Sequence, residues 1–281
     1  MRSCNTHTHL SRINHHKAVH PALEIPRPFK QWFFLEIFSG SARLAACMHR
    51  HVPLVVKWDI LFGPQYDLTK VEIRHIVFGW LLADWILGLH LGTPCASFSR
   101  ARDQPNGPPR LRSDSPPLGL TSLRPCDAIA VSIGNCLMRF SAKCMRICLT
   151  RHIPASLENL RMSRLWICPA IRSLLRSRST SFEYCDFCMF GIPWRKSTGI
   201  LGCFLDLSGL TRFQCRGCPP GACARSKLRH FVLSGVDSTG QFWTKRAEPY
   251  PPRFCTLLSK IYANCFARLT AEGFWRYASF S

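Results

Sequence analysis

Trp85-Ile86-Leu87-Gly88-Leu89-His90-Leu91-Gly92-Thr93-Pro94-Cys95 passes from an apolar run straight into a small-residue turn that ends on a cysteine. The apolar part reads as a buried strand. A cysteine on such a turn presents its sulfur at the rim of a sheet, where open α/β folds do their chemistry. Upstream, Trp32 to Phe38 predicts a strand, Ser39-Gly40-Ser41 a turn, and Ala42 to Arg50 a helix. Val52 to Trp58 predicts a second strand ending at Asp59, and Thr69 to Trp80 a helix. Strand, helix, strand, helix, strand is the rhythm of a parallel α/β sheet with right-handed crossovers.

Beyond the cysteine, residues 103 to 118 are rich in Pro, Gly, Asp and Arg, and predict a long loop of the kind that serves as a lid or stays disordered. Asp127 to Cys148 predicts a helix, Ile153 to Leu157 a strand, and Ile171 to Arg178 a short helix. Phe182 to Cys188 and Gly199 to Phe204 predict a hairpin around Pro193-Trp194-Arg195-Lys196, and Thr256 to Leu269 an amphipathic closing helix. The expected organisation is a disordered, His-rich tail (1–28), an α/β domain (29–210), a cysteine-rich insertion (211–246) and a C-terminal helix packing back on the domain (247–281).

Composition narrows the partners. The chain holds 37 Lys and Arg against 16 Asp and Glu, a formal net charge of +21, which favours polyanions through phosphate contacts and counterion release. With 47% hydrophobic residues it has enough apolar material for a core. The longest apolar stretch, Ile76 to Leu91, is broken by Asp84 and His90 and is too short and polar to span a membrane. The sixteen cysteines come without a secretory signal, so reduced thiols inside the cell are expected, some buried and some bound to metal.

Several residues are candidates for chemistry. A nucleophilic Cys95 needs a depressed pKa, for which Arg100 and Arg102 lie near in sequence, although a buried structural cysteine is the plainer alternative. Glu158, placed at a strand end on the same rim, suits proton donation, and its alternative is a helix-start acid. Asp59 and Asp67 suit ligand hydroxyl and amino groups, or serve as caps. Cys215-x-x-Cys218, Cys223 and His230 make a candidate zinc set. A four-thiolate set with Cys185 and Cys188 is its rival, although those two are expected on a strand with sulfurs on different faces.

Phe38-Ser39-Gly40, Pro94-Cys95 and Glu158-Asn159, in that order, resemble the DNA cytosine-C5 methyltransferases. The resemblance implies an α/β, Rossmann-like fold whose glycine turn holds S-adenosyl-L-methionine. Phe38, Ser39, Gly40, Asp59, Asp67 and Pro94 are the implied cofactor-binding residues. Cys95 would attack C6 of a flipped cytosine and Glu158 would protonate N3, with Arg195 supporting the catalytic loop. Ser97, Arg100, Arg102, Arg110, Arg112 and Lys196 would contact DNA, and the nucleus is the implied compartment.

The chain departs from that family in two motifs. The glycine turn reads Ser-Gly-Ser-Ala-Arg rather than a pair of adjacent glycines, and Trp194-Arg195-Lys196-Ser197-Thr198 replaces Gln-x-Arg-x-Arg. Gly92 to Arg102 and Ala247-Glu248-Pro249-Tyr250-Pro251 are also similar to divergent methyltransferase-like proteins found beside retroelements in protist genomes. That likeness implies an alternative, an inactive, basic nucleic-acid-binding domain of a mobile element, while the resemblance to the C5 methyltransferases implies a further one, methylation of cytosine in RNA by the same chemistry.

Overall fold

Phe33–Ile37 (β1) is buried at every position because it runs through the middle of a six-stranded sheet. A computed structural model describes residues 32–274 other than 105–106, 218–220 and 237, so the expected 1–28 tail lies outside the described residues. The other strands are β2 (Val55–Trp58), β3 (Ile86–Leu91), β4 (Ala155–Leu160), β5 (Thr180–Asp186) and β6 (Ser197–Cys203), in the order β2-β1-β3-β4-β6-β5. β2, β1, β3 and β4 run parallel, while β6 is antiparallel to both of its neighbours.

The helices α1 (Arg43–Met48), α2 (Val71–Leu82), α3 (Pro125–Arg151) and α4 (Pro169–Leu175) alternate with the first five strands. A single turn, α5 (Trp243–Arg246), precedes the closing α6 (Pro252–Ala271). The period of two along β1 decides which helix each side chain meets. Phe33, Leu35 and Ile37 join Val77, Leu81, Met138, Met145 and Ile171 in one apolar cluster, so α2, α3 and α4 cover that face. Phe34 joins Leu44, Met48, Phe254, Leu258 and Tyr262 in the other, beneath α1 and α6. The molecule is therefore a three-layer α/β sandwich. Each fully buried Phe or Leu adds roughly 1.5–3 kcal/mol, so these two faces hold the sheet.

Two expectations change. Glu158 and Asn159 lie inside β4, paired with Ile200 and Gly199 of β6, rather than after a strand or at a helix start. The loop expected to be a lid is tied down over its described residues. Arg112, only 1% exposed, stacks on Phe98 at 3.8 Å and donates to Ser97, Pro117, Val131 and Asn135. Arg164, equally buried, reaches across to Asp103 at 2.7 Å and to Asp114 at 3.1 Å. Arg164 holds the loop's Asp103 carboxyl, and Arg100 with Arg164 its Asp114 carboxyl, below the ordinary carboxylate range. A stretch poor in apolar residues has thus folded around cations, whose donors satisfy its carbonyls.

Candidate active site

The carboxyl ends of β1, β3 and β4 open on a cavity of about 640 Å³, lined by Phe38, Ser39, Gly40, Asp59, Asp67, Pro94, Cys95, Glu158, Lys196 and Tyr250 among others. This is the position at which open α/β sheets bind ligands. All six residues named for cofactor binding line it, together with Cys95, Glu158 and Lys196.

The first wall is the turn after β1. Phe38, Gly40 and Ala42 all take positive φ, at 57°, 51° and 53°. At Gly40 a Cβ would meet nothing within 4 Å, so backbone conformation rather than crowding favours glycine there. Asp59 fastens this turn. One carboxylate oxygen accepts the Gly40 N–H at 2.8 Å and the other caps the following helical turn through Leu61 N–H at 2.9 Å. Asp67 accepts both the N–H and the hydroxyl of Thr69. The two acids are caps and cavity walls at once: each Asp59 oxygen keeps a further lone pair for a ligand, whereas both Thr69 bonds fall on Asp67 Oδ1 and leave Oδ2 to serve one. Ser39 Oγ is buried with no partner at the same wall. A polar cradle with an unsatisfied hydroxyl and two carboxylates fits the polar end and hydroxyls of an adenosyl cofactor.

One acid escaped the sequence reading. Glu36 is fully buried in β1 and accepts the Ala45 N–H at 2.7 Å, supplying the cap that Ala42 cannot give to α1. Burial pushes its carboxyl up to about 8. An acid inside the apolar run Phe33-Phe34-Leu35-Glu36-Ile37 was the available signal.

The second wall is the Pro-Cys turn. Asn159 donates to the Thr93 carbonyl at 2.7 Å, and the Thr93 hydroxyl meets Ser141 at 2.9 Å, so β4 and α3 both hold the turn. Burial pushes the Cys95 thiol up, the Lys196 ammonium pulls it down, and Glu158 raises it again. The expected cations are elsewhere. Arg100 is bound to Met162 and Asp114, and Arg102 to Ala96 and Pro109. Lys196 is the cation that serves Cys95.

The third wall is Glu158. Its Oε2 meets the Tyr250 hydroxyl at 3.1 Å, while its Oε1 is buried without a partner. Burial raises its pKa, with Lys196 and Tyr250 opposing. Tyr250 also meets His90 Nε2 at 3.0 Å, His90 Nδ1 meets Ser156 at 2.7 Å, and Ser156 meets Tyr262 at 2.7 Å. Tyr262 donates to the Leu89 carbonyl at 2.5 Å. Burial drives His90 down to about 3, so its ring is neutral.

Five contacts link Leu89 to Glu158, while Tyr262, Ser156, neutral His90 and Tyr250 supply one proton each, four in all. The Leu89 carbonyl can only accept and the Tyr250 hydroxyl donates to Glu158 Oε2, so the two ends of the chain are fixed while the hydroxyl and imidazole contacts between them can run either way. Gly92 makes room for this arrangement. A Cβ there would lie 2.9 Å from both the Tyr250 hydroxyl and the Phe38 carbonyl. His90, interrupting an apolar strand, and Tyr250, in Ala247-Glu248-Pro249-Tyr250-Pro251, were legible as oddities but not as one network.

The remaining expected contacts fall outside the cavity. Arg195 is absent from its lining and pairs with the buried Asp186 at 3.2 Å, leaving its neighbour Lys196 as the cation before β6 that lines the site. Ser97 and Arg112 are buried against one another, so neither presents itself to a nucleic acid. Arg110 is exposed but engaged with Asp103 and the Arg112 carbonyl. Cys215, Cys223 and His230 form a separate cluster in which Cys188 is the fourth member. Cys218 lies outside the described residues. The cysteines of the described residues are free thiols, and among those residues no helix is long and apolar enough to cross a membrane.

No protein-family model and no curated protein matches the chain. A solved structure of the Entamoeba histolytica methyltransferase EhMeth is similar over 62% of this chain and 53% of that one, at 12% identity and a TM-score of 0.36. The chain thus spans about half the length of that methyltransferase.

Proposed function

We propose that this Rossmann-like domain transfers a methyl group from S-adenosyl-L-methionine to C5 of cytosine in DNA, through a covalent adduct at Cys95. The observation that carries the reading is the convergence of Cys95 and a buried Glu158, one carboxyl oxygen unpartnered, on one cavity behind a Ser-Gly turn. The order of the three motifs adds to it. When bound against Ser39, Gly40, Asp59 and Asp67, the cofactor supplies an electrophilic methyl group. Cys95, as thiolate, adds to C6, and Glu158 gives its proton to N3, so that the electron pair arrives at C5. After C5 has taken the methyl group, water removes the C5 proton, the C6–sulfur bond breaks to release the thiolate, and N3 returns its proton to Glu158, which restores the neutral ring and the acid. Lys196 favours the thiolate on which the first step depends. The base reaches Cys95 only outside its stack, so duplex DNA must release it into the cavity.

The test is transfer of labelled methyl into cytosine-containing duplex DNA by wild type and Cys95→Ala, with an RNA substrate in competition. Incorporation into DNA that vanishes in the variant supports the proposal. Incorporation into RNA alone would replace the substrate, and cofactor binding without transfer would leave a binding domain in its place.

A further inference from the structure

The cluster at the far side of β5 is not part of the cavity and has no role in the chemistry above. Cys188 sits in the turn Phe187–Phe190 that follows β5, while Cys215, Cys223 and His230 come from the segment after β6. Their ligand atoms all lie within 4.8 Å of one another, and Cys215 Sγ is 3.6 Å from His230 Nε2. Four ligands at the corners of a tetrahedron, with zinc–sulfur bonds of about 2.3 Å and zinc–nitrogen bonds of about 2.0 Å, put sulfur and nitrogen about 3.5 Å apart.

The surroundings prepare these atoms for a metal. His230 Nδ1 lies 2.9 Å from the Gly221 carbonyl, so it carries the ring proton and Nε2 turns its lone pair to the sulfurs. Cys215 Sγ accepts the Ala224 N–H at 3.3 Å, a contact that suits a thiolate. The backbone is tightly wound here. A Cβ on Gly217 would lie 1.7 Å from the Ala222 carbonyl oxygen, and Gly221 takes φ +87°. Yet the buried apolar company is slight, being the three cysteines themselves with Met189 and Ala224 packed against them. A segment that contains Arg216, Arg225, Lys227 and Arg229 has too little apolar surface to hold that fold.

We infer that Cys188, Cys215, Cys223 and His230 bind one structural zinc ion. Thiolate and imidazole donors select zinc over hard cations, and four protein ligands close the site to substrate. Three thiolates against a divalent ion leave one negative charge, which the neighbouring Arg and Lys residues offset. The ion would bolt the cysteine-rich segment to the end of β5. The Cys215 N–H donates to Asp186 at 2.6 Å, and Asp186 in turn holds Arg195, next to Lys196 in the segment that leads into β6.

The experiment is elemental analysis and X-ray absorption on the full chain purified without chelator, followed by single variants. One zinc per chain, in a shell of three sulfurs and one nitrogen, is the expected result. Cys188→Ser and His230→Ala lose stoichiometric zinc, whereas Cys185→Ser and Cys218→Ser keep it. A chain without zinc overturns the inference, as does a shell of four sulfurs or zinc that survives Cys188→Ser and disappears in Cys218→Ser. The wild-type absorption shell decides the matter even where a variant fails to fold, and it is independent of whether methyl transfer occurs.

Discussion

Cys95 stands on a turn backed by Phe98, a member of the large apolar cluster under α2, α3 and α4, whereas Cys215 and Cys223 stand in a segment whose buried neighbours are little more than each other. In the first region the scaffold is complete before any reactive group is placed on it. Glu158, Tyr250 and His90 are then tuned by burial and by the hydrogen bonds that join them. In the second region the reactive groups are the scaffold, and the chain folds there as far as a metal draws them together. The contrast teaches what a substitution should do in each place. Changes in the cavity should alter chemistry and spare the fold, and changes in the cluster should do the reverse.

The sharpest test of that contrast is Glu158→Gln. Glutamine keeps the shape, and its amide oxygen accepts the Tyr250 hydroxyl as the carboxyl oxygen does, so the chain back to Leu89 stays connected and the melting temperature should hold. Methyl transfer should fall by about 10²–10⁴-fold, the usual cost of losing a general acid. A fall in stability alongside activity would mean that the cavity is structural after all. Chelation tests the other half. With EDTA, trypsin should cut rapidly at Arg216, Arg225, Lys227 and Arg229, while the sheet, followed by circular dichroism, persists. Equal protection with and without chelator would break the comparison.

Next in size is Arg112→Met, which removes a buried guanidinium and strands the carbonyls of Ser97, Pro117 and Val131 that it serves. Buried acceptors left unmade cost about 1–3 kcal/mol each, so a loss of roughly 3 kcal/mol by denaturant titration is expected. A DNA-contacting arginine would instead leave stability unchanged and weaken binding.

How much of this was legible follows from the kind of signal each element sends. The five strands from Phe33 to Asp186 and the hairpin partner β6 announce themselves through apolar runs, and their bounds fell within a few residues of expectation. Pro94-Cys95 and Glu158-Asn159 were readable because they are local. What joins them was not: Asn159 to the Thr93 carbonyl, Tyr250 to Glu158, and Arg112 to Ser97 are contacts between distant segments, which a sequence records only as isolated polar residues. The loop arginines misled for the same reason, since a cation buried among carbonyls and one offered to phosphate look alike in composition. Cys188 was visible in Cys185-x-x-Cys188. That it joins Cys215, Cys223 and His230 without Cys185 was missed, because the strand ends at Asp186, two residues before it, and so Cys185 alone turns into the core beneath α6.

The finest distinction concerns Lys196, whose ammonium favours both the Cys95 thiolate and the Glu158 carboxylate. Removing that charge in Lys196→Gln raises both pKa values, so the two effects move the pH–rate profile in one direction. Cys95 then needs a higher pH to form its thiolate, and Glu158 keeps its proton to a higher pH. Both limbs of the profile should move to higher pH, whichever limb belongs to which group. At a fixed pH on the acid limb the rate should drop, with Lys196→Arg restoring the wild-type profile. If Lys196 acted only on phosphate, the substitution would raise KM for DNA, steepen nothing and leave both limbs where they were. A shifted profile at unchanged KM therefore puts Lys196 in the cavity's electrostatics, and a raised KM at an unshifted profile puts it on the nucleic acid.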